Sequence, residues 1–134
     1  MTQMPQSLDG LRVLVVDDET DIREFITIVL EAQGMSVKAV ASAAAAFEVL
    51  KADQPDVLVC DIRMPGGSGH DLIRQIRQFE AKEGGHLPAT AITAYQDEDK
   101  EKSLKAGFDA FLHKFAQPNE WVETIAKLAG RASA

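Results

Sequence analysis

The sequence has little cysteine, no excess of basic residues and no long apolar run, and each shortage excludes a class of protein. Cys60 is the single cysteine among 134 residues, which excludes an internal disulfide and a cysteine-based metal cluster. The formal net charge of −7 argues against direct nucleic-acid binding, which normally uses a clustered basic face. No apolar run approaches the roughly twenty residues that span a bilayer. We therefore expect a soluble, cytoplasmic protein that binds neither nucleic acid nor membrane.

Short apolar runs and amphipathic stretches alternate along the chain. Residues 13–16 and 57–60 are continuous apolar runs, which are typical of strands covered on both faces of a sheet. Strands that alternate with helices predict a parallel sheet with right-handed crossovers and helices on both faces. We expect one doubly wound α/β domain over residues 11–130, a flexible arm over residues 1–10 and a frayed tail over residues 131–134.

Polar and charged side chains follow most of the predicted strands at the point where each strand ends. They are Asp17, Asp18 and Glu19 after the first strand, Asp61 after the third, Thr93 after the fourth and Lys114 after the fifth. Ligands of an open parallel sheet bind beyond the carboxyl ends of its strands. Converging carboxylates repel one another, and Mg²⁺ removes that repulsion. The pattern predicts a magnesium site where a carboxylate takes a phosphoryl group, with Lys114 and the Thr93 hydroxyl contacting its oxygens.

Four segments of the sequence together resemble the receiver domain of two-component response regulators. In chain order they are LRVLVVDDE, VLVCDIRMPGGSG, AITAY and FDAFLHK, and they run from Leu11 to Lys114. The resemblance implies a flavodoxin-like, doubly wound sheet of five parallel strands in the order 2-1-3-4-5, with five helices. It also implies that the chain receives a phosphoryl group from a histidine kinase or a histidine phosphotransfer protein. A changed surface would then be recognised by an unknown downstream protein.

The resemblance implies a role for each acidic residue of the site. Asp61 is the expected phosphoacceptor. The side chains of Asp18 and Asp61 are expected to bind Mg²⁺ directly, together with the backbone carbonyl of Arg63. Asp17 is expected to act on the metal through a water molecule.

The resemblance also identifies the residues that sense the phosphoryl group. Lys114 is expected to contact it, Thr93 to swing toward it, and Phe111 to move inward as Thr93 moves. The family usually has proline after this lysine, and Phe115 stands there instead. We therefore expect either a trans bond with a reshaped loop or a strained cis bond, which costs about 3 kcal/mol before a non-proline residue. Phe111 lacks the hydroxyl of the tyrosine often found there, so switching is expected to work through packing alone.

Several other residues receive plainer interpretations. His70, His86 and His113 show no metal-ligand spacing and no evident partner, and we expect them on the surface or in loops. Trp121 is expected to pack in the core. The unusually polar stretch over residues 96–106 is expected to form a helix with a solvated face. Because it lies between the fourth and fifth strands, it is also the natural place for a surface that depends on phosphorylation.

Two enzyme-like alternatives conflict with particular residues. A flavin-binding electron carrier would need a hydroxyl- and glycine-rich loop after the first strand, where Asp17, Asp18 and Glu19 would repel a phosphate. A phosphatase that uses an aspartyl phosphate would need a second acid two residues after Asp61, and Arg63 occupies that position. We therefore expect that the protein is not an enzyme, except that it catalyses its own phosphorylation and its own slow dephosphorylation.

A receiver-like docking module that is no longer phosphorylated remains an alternative because Phe115 follows Lys114. The chain is expected to be either a single-domain regulator or the receiver of a hybrid histidine kinase, and a monomer before phosphorylation. Arg63 and Tyr95 flank the expected path of the attacking water. Hydrolysis of the phosphoryl group is therefore expected to take hours rather than seconds.

Overall fold

Strands and helices alternate along the whole chain in the computed structural model, which describes residues 7–64, 68–94 and 100–131. The strands are β1 (Arg12–Val16), β2 (Ser36–Val40), β3 (Val57–Asp61), β4 (Ala89–Thr93) and β5 (Ala110–His113). The helices are α1 (Thr20–Glu31), α2 (Ala43–Ala52), α3 (Gly69–Glu83), α4 (Lys100–Ala106) and α5 (Pro118–Leu128). Within these residues no helix combines the length and apolar character needed to cross a membrane.

The sheet has the order β2-β1-β3-β4-β5, and every neighbouring pair is parallel. This confirms the predicted doubly wound fold and its strand order. Val16 pairs with Cys60 across β1 and β3, and Asp61 pairs with Ile92 across β3 and β4. The carboxyl ends of the central strands therefore lie side by side at one edge of the sheet, which places the residues that follow them close together.

The core has two layers because side chains along each buried strand point alternately to opposite faces. Val13 and Val15 of β1 belong to the cluster that α1 and α5 cover, where Trp121 is fully buried. Leu14 and Val16 belong to the cluster that α2, α3 and α4 cover. The predicted packing role of Trp121 agrees with this position. The continuous apolar runs of the sequence thus reflect strands with helices on both faces.

The strand β2 lies at one edge of the sheet and carries alternating, largely exposed residues. Ser36, Lys38 and Ala39 are exposed, whereas Val37 and Val40 are half-buried. A charged residue such as Lys38 on an edge strand discourages pairing with another chain. The weaker apolar character of this segment therefore follows from its place in the sheet.

The segment that precedes β1 packs against the domain where the structure describes it. Leu8 is 8% exposed and belongs to the core cluster under α1 and α5. The Gly10 N–H donates to the Gly34 carbonyl at 2.9 Å, and Arg131 Nη1 donates to the Ser7 carbonyl at 3.1 Å. Residues 1–6 and 132–134 lie outside the described part of the chain. The predicted limits of the arm, the domain and the tail stay predictions.

The predicted polar helix over residues 96–106 is only partly within the described chain. Its described portion is α4, which begins at Lys100, while residues 95–99 lie outside the described residues. Gly107 follows α4, as expected, and its φ of 129° suits glycine. The interpretation of this region as a phosphorylation-dependent surface stays a prediction.

Candidate functional site

Four carboxylates gather where β1 and β3 end. Asp17, Asp18, Glu19 and Asp61 each offer an oxygen, and these oxygens all lie within 4.8 Å of one another. Asp17 and Asp61 are almost fully buried, at 0% and 2% exposure, whereas Asp18 and Glu19 are exposed. The two buried carboxylates lie close together because Val16 and Cys60, which precede them, are partners in the sheet.

Each of the two buried aspartates is oriented by a turn of the same kind in its own segment. Asp17 Oδ1 accepts a hydrogen bond from the Glu19 N–H at 2.8 Å, and Asp61 Oδ1 accepts one from the Arg63 N–H at 3.0 Å. An aspartate that accepts the N–H two residues later stabilises its own turn. Arg23 adds a second restraint, since its Nη1 donates to the Asp17 carbonyl at 2.7 Å. The second oxygen of each carboxylate is therefore directed to the shared site.

The ammonium group of Lys114 lies among these carboxylates. Its Nζ is 2.7 Å from Glu19 Oε1, 3.0 Å from Asp61 Oδ2 and 3.1 Å from Asp17 Oδ2. The Lys114 N–H donates to the Thr93 carbonyl at 2.8 Å, which extends the β4–β5 pairing up to the site. All peptide bonds of the described chain are trans, including the bond from Lys114 to Phe115. Of the two expected geometries, the trans bond is therefore the one found.

Burial and ion pairing act in opposite directions on these groups. Burial raises the pKa of Asp61 and of Asp17 above their ordinary values, although hydrogen bonds from backbone N–H groups and the nearby Lys114 ammonium reduce the rise. Burial alone would lower the pKa of Lys114, but its bonds to Glu19, Asp61 and Asp17 outweigh that effect and raise it. Lys114 is consequently a cation at neutral pH.

One buried oxygen of the site is held by an ion pair alone. Asp17 Oδ2 is buried and, in the described chain, lacks a hydrogen-bonded partner, although Lys114 Nζ lies 3.1 Å away as an ion pair. A buried carboxylate oxygen without such a bond is costly. Four carboxylates opposed by one ammonium group are also the oxygen-rich, anionic set that a hard divalent cation prefers. The residues present therefore fit a Mg²⁺ ion.

The other predicted site residues surround this cluster. Thr93 ends β4 and is 1% exposed, and Phe111 lies half-buried in β5 beside Ala91. The side chain of Arg63 is exposed just beyond Asp61. The structure thus places Thr93 and Arg63 at this end of the sheet and Phe111 within β5, two residues before the strand ends. Their individual roles stay predictions. Tyr95, assigned an influence on hydrolysis, lies outside the described residues.

A glycine allows α3 to begin directly against Asp61. Gly69 is the first residue of α3, with Ser68 as N-cap accepting the Asp71 N–H at 3.2 Å. A Cβ at Gly69 would overlap the Asp61 carbonyl oxygen and lie 2.9 Å from Ile62 Cα. Because both neighbours are backbone atoms, neither can turn away.

Each of the three histidines has a hydrogen-bonding partner, although none was evident from metal-ligand spacing. His86 Nε2 lies 2.9 Å from Asp109 Oδ1, and His70 Nε2 lies 2.9 Å from Ser103 Oγ. His113 Nδ1 accepts the Phe115 N–H at 3.2 Å. A signal for the first pair was present in the sequence, since His86 and Asp109 precede neighbouring parallel strands and so lie at the same edge of the sheet.

Glu19 makes a contact in the site that the sequence did not lead us to predict. It was recognised only as the last member of an acidic run, yet it makes the shortest ion pair of Lys114. The signal was its position directly after the two aspartates, which places it at the same sheet edge as Lys114.

Comparison with known proteins agrees with this geometry. The profile of the response regulator receiver domain matches residues 13–126. An uncharacterized 14.6 kDa protein of Leptolyngbya boryana is 36% identical over 121 residues, which cover 90% of this chain and 91% of that protein. The phosphate regulon transcriptional regulatory protein PhoB of Escherichia coli is 32% identical over 123 residues, covering 91% of this chain but 53% of PhoB.

A solved structure extends the likeness to three dimensions. The receiver domain of the sensor histidine kinase PA1611 from Pseudomonas aeruginosa has a magnesium ion coordinated in its active-site cleft. It superposes with a TM-score of 0.81 at 28% identity, over 90% of this chain and 98% of that domain. The sequence motifs, the sheet order and the carboxylate cluster all agree with these matches. The chain belongs to the response regulator receiver domain family.

Proposed function

We propose that this receiver domain accepts a phosphoryl group on Asp61 in a Mg²⁺-dependent reaction and passes the signal on through a changed surface. The observation that carries the proposal is the position of Asp61. Its carboxylate lies 3.0 Å from the Lys114 ammonium and among three further carboxylates. A nucleophilic carboxylate, a cation to bind phosphoryl oxygens and an acidic metal site are the parts that this reaction requires.

Each residue of the cluster has a separate task in the proposed reaction. Asp18, Asp61 and the Arg63 carbonyl would hold Mg²⁺, with Asp17 acting through water, and the bound ion would neutralise charge on the phosphoryl oxygens. An oxygen of the Asp61 carboxylate attacks phosphorus, so that a P–O bond forms as the P–N bond of the donor phosphohistidine breaks and the donor imidazole leaves. Lys114 then binds one of the phosphoryl oxygens as an ion pair.

The response to phosphorylation is proposed to run through Thr93 and Phe111. Thr93 is nearly buried beside the site, and Phe111 lies half-buried on the neighbouring strand, against the core cluster that includes Ala91. A phosphoryl group need only favour one of two pre-existing conformations. Moving a balance from 1:99 to 99:1 takes about 5.5 kcal/mol. Contacts with Mg²⁺, Lys114 and Thr93 are the proposed source of that difference.

The partners follow from this chemistry. The donor is proposed to be a histidine kinase or a histidine phosphotransfer protein in the cytoplasm, and the unphosphorylated chain is proposed to be a monomer. The likeness to a kinase-borne receiver supports such a donor. This chain spans about half the length of PhoB, so we do not propose that it has the activity of that longer relative. We propose no enzymatic turnover beyond the chain's own phosphorylation and its slow reversal.

Intact-protein mass spectrometry after incubation with a small-molecule phosphodonor tests the proposal. Wild type should gain a single phosphoryl adduct only when Mg²⁺ is present, and Asp61→Asn should gain none. Asp71→Asn is the matched control, because Asp71 is an exposed carboxylate beyond the site and should leave the adduct unchanged. After donor removal, loss of the adduct should take hours.

The alternative of a docking module that takes no phosphate rests on Phe115, which replaces the usual proline and is 70% exposed. Lys114 nevertheless lies 3.0 Å from Asp61, which favours the phosphoacceptor. A wild type that binds Mg²⁺ but never gains the adduct would favour the docking module.

A further inference from the structure

Glu19 is the nearest carboxylate to Lys114. Its Oε1 is 2.7 Å from the ammonium nitrogen, compared with 3.0 Å for Asp61 and 3.1 Å for Asp17. Lys114 is 5% exposed, whereas the Glu19 side chain is 58% exposed. The most exposed of the three partners therefore makes the shortest contact with a buried cation.

The side chain of Glu19 has no part in starting α1. Glu19 is the N-cap of that helix, yet its side chain makes no capping hydrogen bond. Its backbone N–H donates to Asp17 Oδ1, which forms the turn without the side chain. Arg23, the cation of the first turns of α1, donates to the Asp17 carbonyl and to Thr20 Oγ1. The contact that the Glu19 carboxylate makes is thus the one with Lys114.

Phosphorylation of Asp61 would create a conflict at this lysine. A phosphoryl group carries close to two negative charges, and about that much charge would arrive beside Lys114. An ammonium group has three N–H donors, and Glu19 and Asp61 already accept from two of them. The phosphoryl oxygens and the Glu19 carboxylate would therefore compete for the N–H donors of Lys114.

Resting on the proposed function, we propose that Glu19 is a positioning residue that holds Lys114 in the unphosphorylated state and competes with the phosphoryl group for its ammonium. Glu19 thereby weakens the phosphorylated state and helps to set how readily the domain returns to rest. The role belongs to the side-chain charge, because the turn and the helix start use only the backbone of Glu19.

A double-mutant cycle with fluoroberyllate, an acyl-phosphate mimic, tests the competition. NMR titrations at saturating Mg²⁺ would compare wild type, Glu19→Gln, Lys114→Ala and the double variant. Glu19→Gln should bind the mimic roughly two- to five-fold more tightly, the range of an ion pair near the surface. That gain should vanish in the Lys114→Ala background, because the competition acts only through the lysine. Glu24→Gln, an exposed carboxylate of the same helix, should change nothing.

A second readout needs neither metal nor mimic. The ¹⁵N resonance of the Lys114 ammonium in metal-free protein should shift in Glu19→Gln and stay in place in Glu24→Gln. The inference is overturned if Glu19→Gln binds the mimic no more tightly than wild type does. It is also overturned if the substitution has the same effect in the Lys114→Ala background, because Glu19 would then act on the metal. If the wild type itself binds no mimic, the proposed function is overturned as well. Failure of the proposed function is thus seen in the wild type, whereas failure of the inference alone is seen only in the variants.

Discussion

Arg77 in α3 joins Asp109, the residue before β5, through a contact of 3.0 Å between its Nη2 and Asp109 Oδ2. The same guanidinium donates to the Gly107 carbonyl at 2.9 Å, to the Leu87 carbonyl at 2.8 Å and to Glu80 Oε1 at 2.8 Å. One planar cation therefore connects a helix with the segments that lead into β4 and β5. This network lies at the edge of the sheet opposite the carboxylate cluster.

Arg77→Ala should lower the free energy of unfolding by about 3 kcal/mol. The substitution leaves the nearly buried Glu80 carboxylate and the partly exposed Asp109 carboxylate without the guanidinium group, and it removes the donor of two backbone carbonyls. Arg74→Ala, on the same helix, removes an exposed pair with Asp71 and should change the value by no more than about 0.5 kcal/mol. Chemical denaturation measures both, and equal losses would contradict the assigned role of Arg77.

Asp61→Asn should stabilise the metal-free protein at pH 7 by about 1 kcal/mol, because it removes a buried charge. Burial raises the pKa of Asp61, so the folded protein holds this proton more tightly than the unfolded chain. The wild type therefore loses stability as the pH rises from the ordinary aspartate pKa through the raised one. The advantage of the variant should shrink as the pH falls toward 4.

Urea unfolding of metal-free protein over this pH range measures the difference. Asp71→Asn, which changes an exposed carboxylate of α3, should show no such gain. A variant at Asp61 that is no more stable than wild type at pH 7 would show that Lys114 compensates fully for the burial of Asp61.

Gly69→Ala should destabilise the protein by about 2–3 kcal/mol and also impair phosphorylation. The added methyl group overlaps the Asp61 carbonyl, so α3 must move away from the end of β3. Gly84→Ala at the other end of α3 meets open space and carries only backbone strain, since its φ is 85°. Because its ψ of 178° lies in a region essentially confined to glycine, it should cost about 1–3 kcal/mol, yet leave the adduct unchanged. Thermal unfolding and mass spectrometry separate the two effects, and an intact adduct in Gly69→Ala would refute the contact.

Cys60 should not react with an alkylating reagent in the native protein. It is fully buried, and burial together with the nearby Asp61 raises the pKa of its thiol, which leaves almost no thiolate to react. Mass spectrometry should show complete modification in denaturant and none in native buffer. Ala44→Cys places a thiol on an exposed position of α2 and should react at once in native buffer. Equal native reactivity of Cys60 would contradict its buried position.

The fold could be predicted because its strongest signals are local. β1 and β3 appear as continuous apolar runs since helices cover both faces of each strand. The gathering of Asp17 and Asp61 could be foreseen too, because parallel strands deliver the residues after them to one edge. The chain's family and sheet order were predicted from the resemblance of its four motif segments to receiver domains, and both are confirmed.

Side-chain partners were harder to foresee because they depend on loop geometry that no periodicity encodes. Nothing in the order of residues states that Glu19, rather than Asp17, makes the shortest contact with Lys114. The close approach of Gly69 to Asp61 arises only once α3 packs on β3. The start of α1 depends on loop geometry in the same way. Threonine often serves as an N-cap, yet Thr20 is the first residue of α1 and Glu19 is its N-cap.

The position of Lys114 late in the chain has a consequence for folding kinetics. Its ammonium bonds to Glu19 across 95 residues and to Asp61 across 53 residues, so the site joins the two ends of the domain. A partly folded chain that contains β1 and β3 has the carboxylates but not their cation. Contacts that form only in the complete fold slow unfolding and leave the folding rate nearly unchanged. A ligand bound at this site therefore lengthens the lifetime of the native state without hastening its formation.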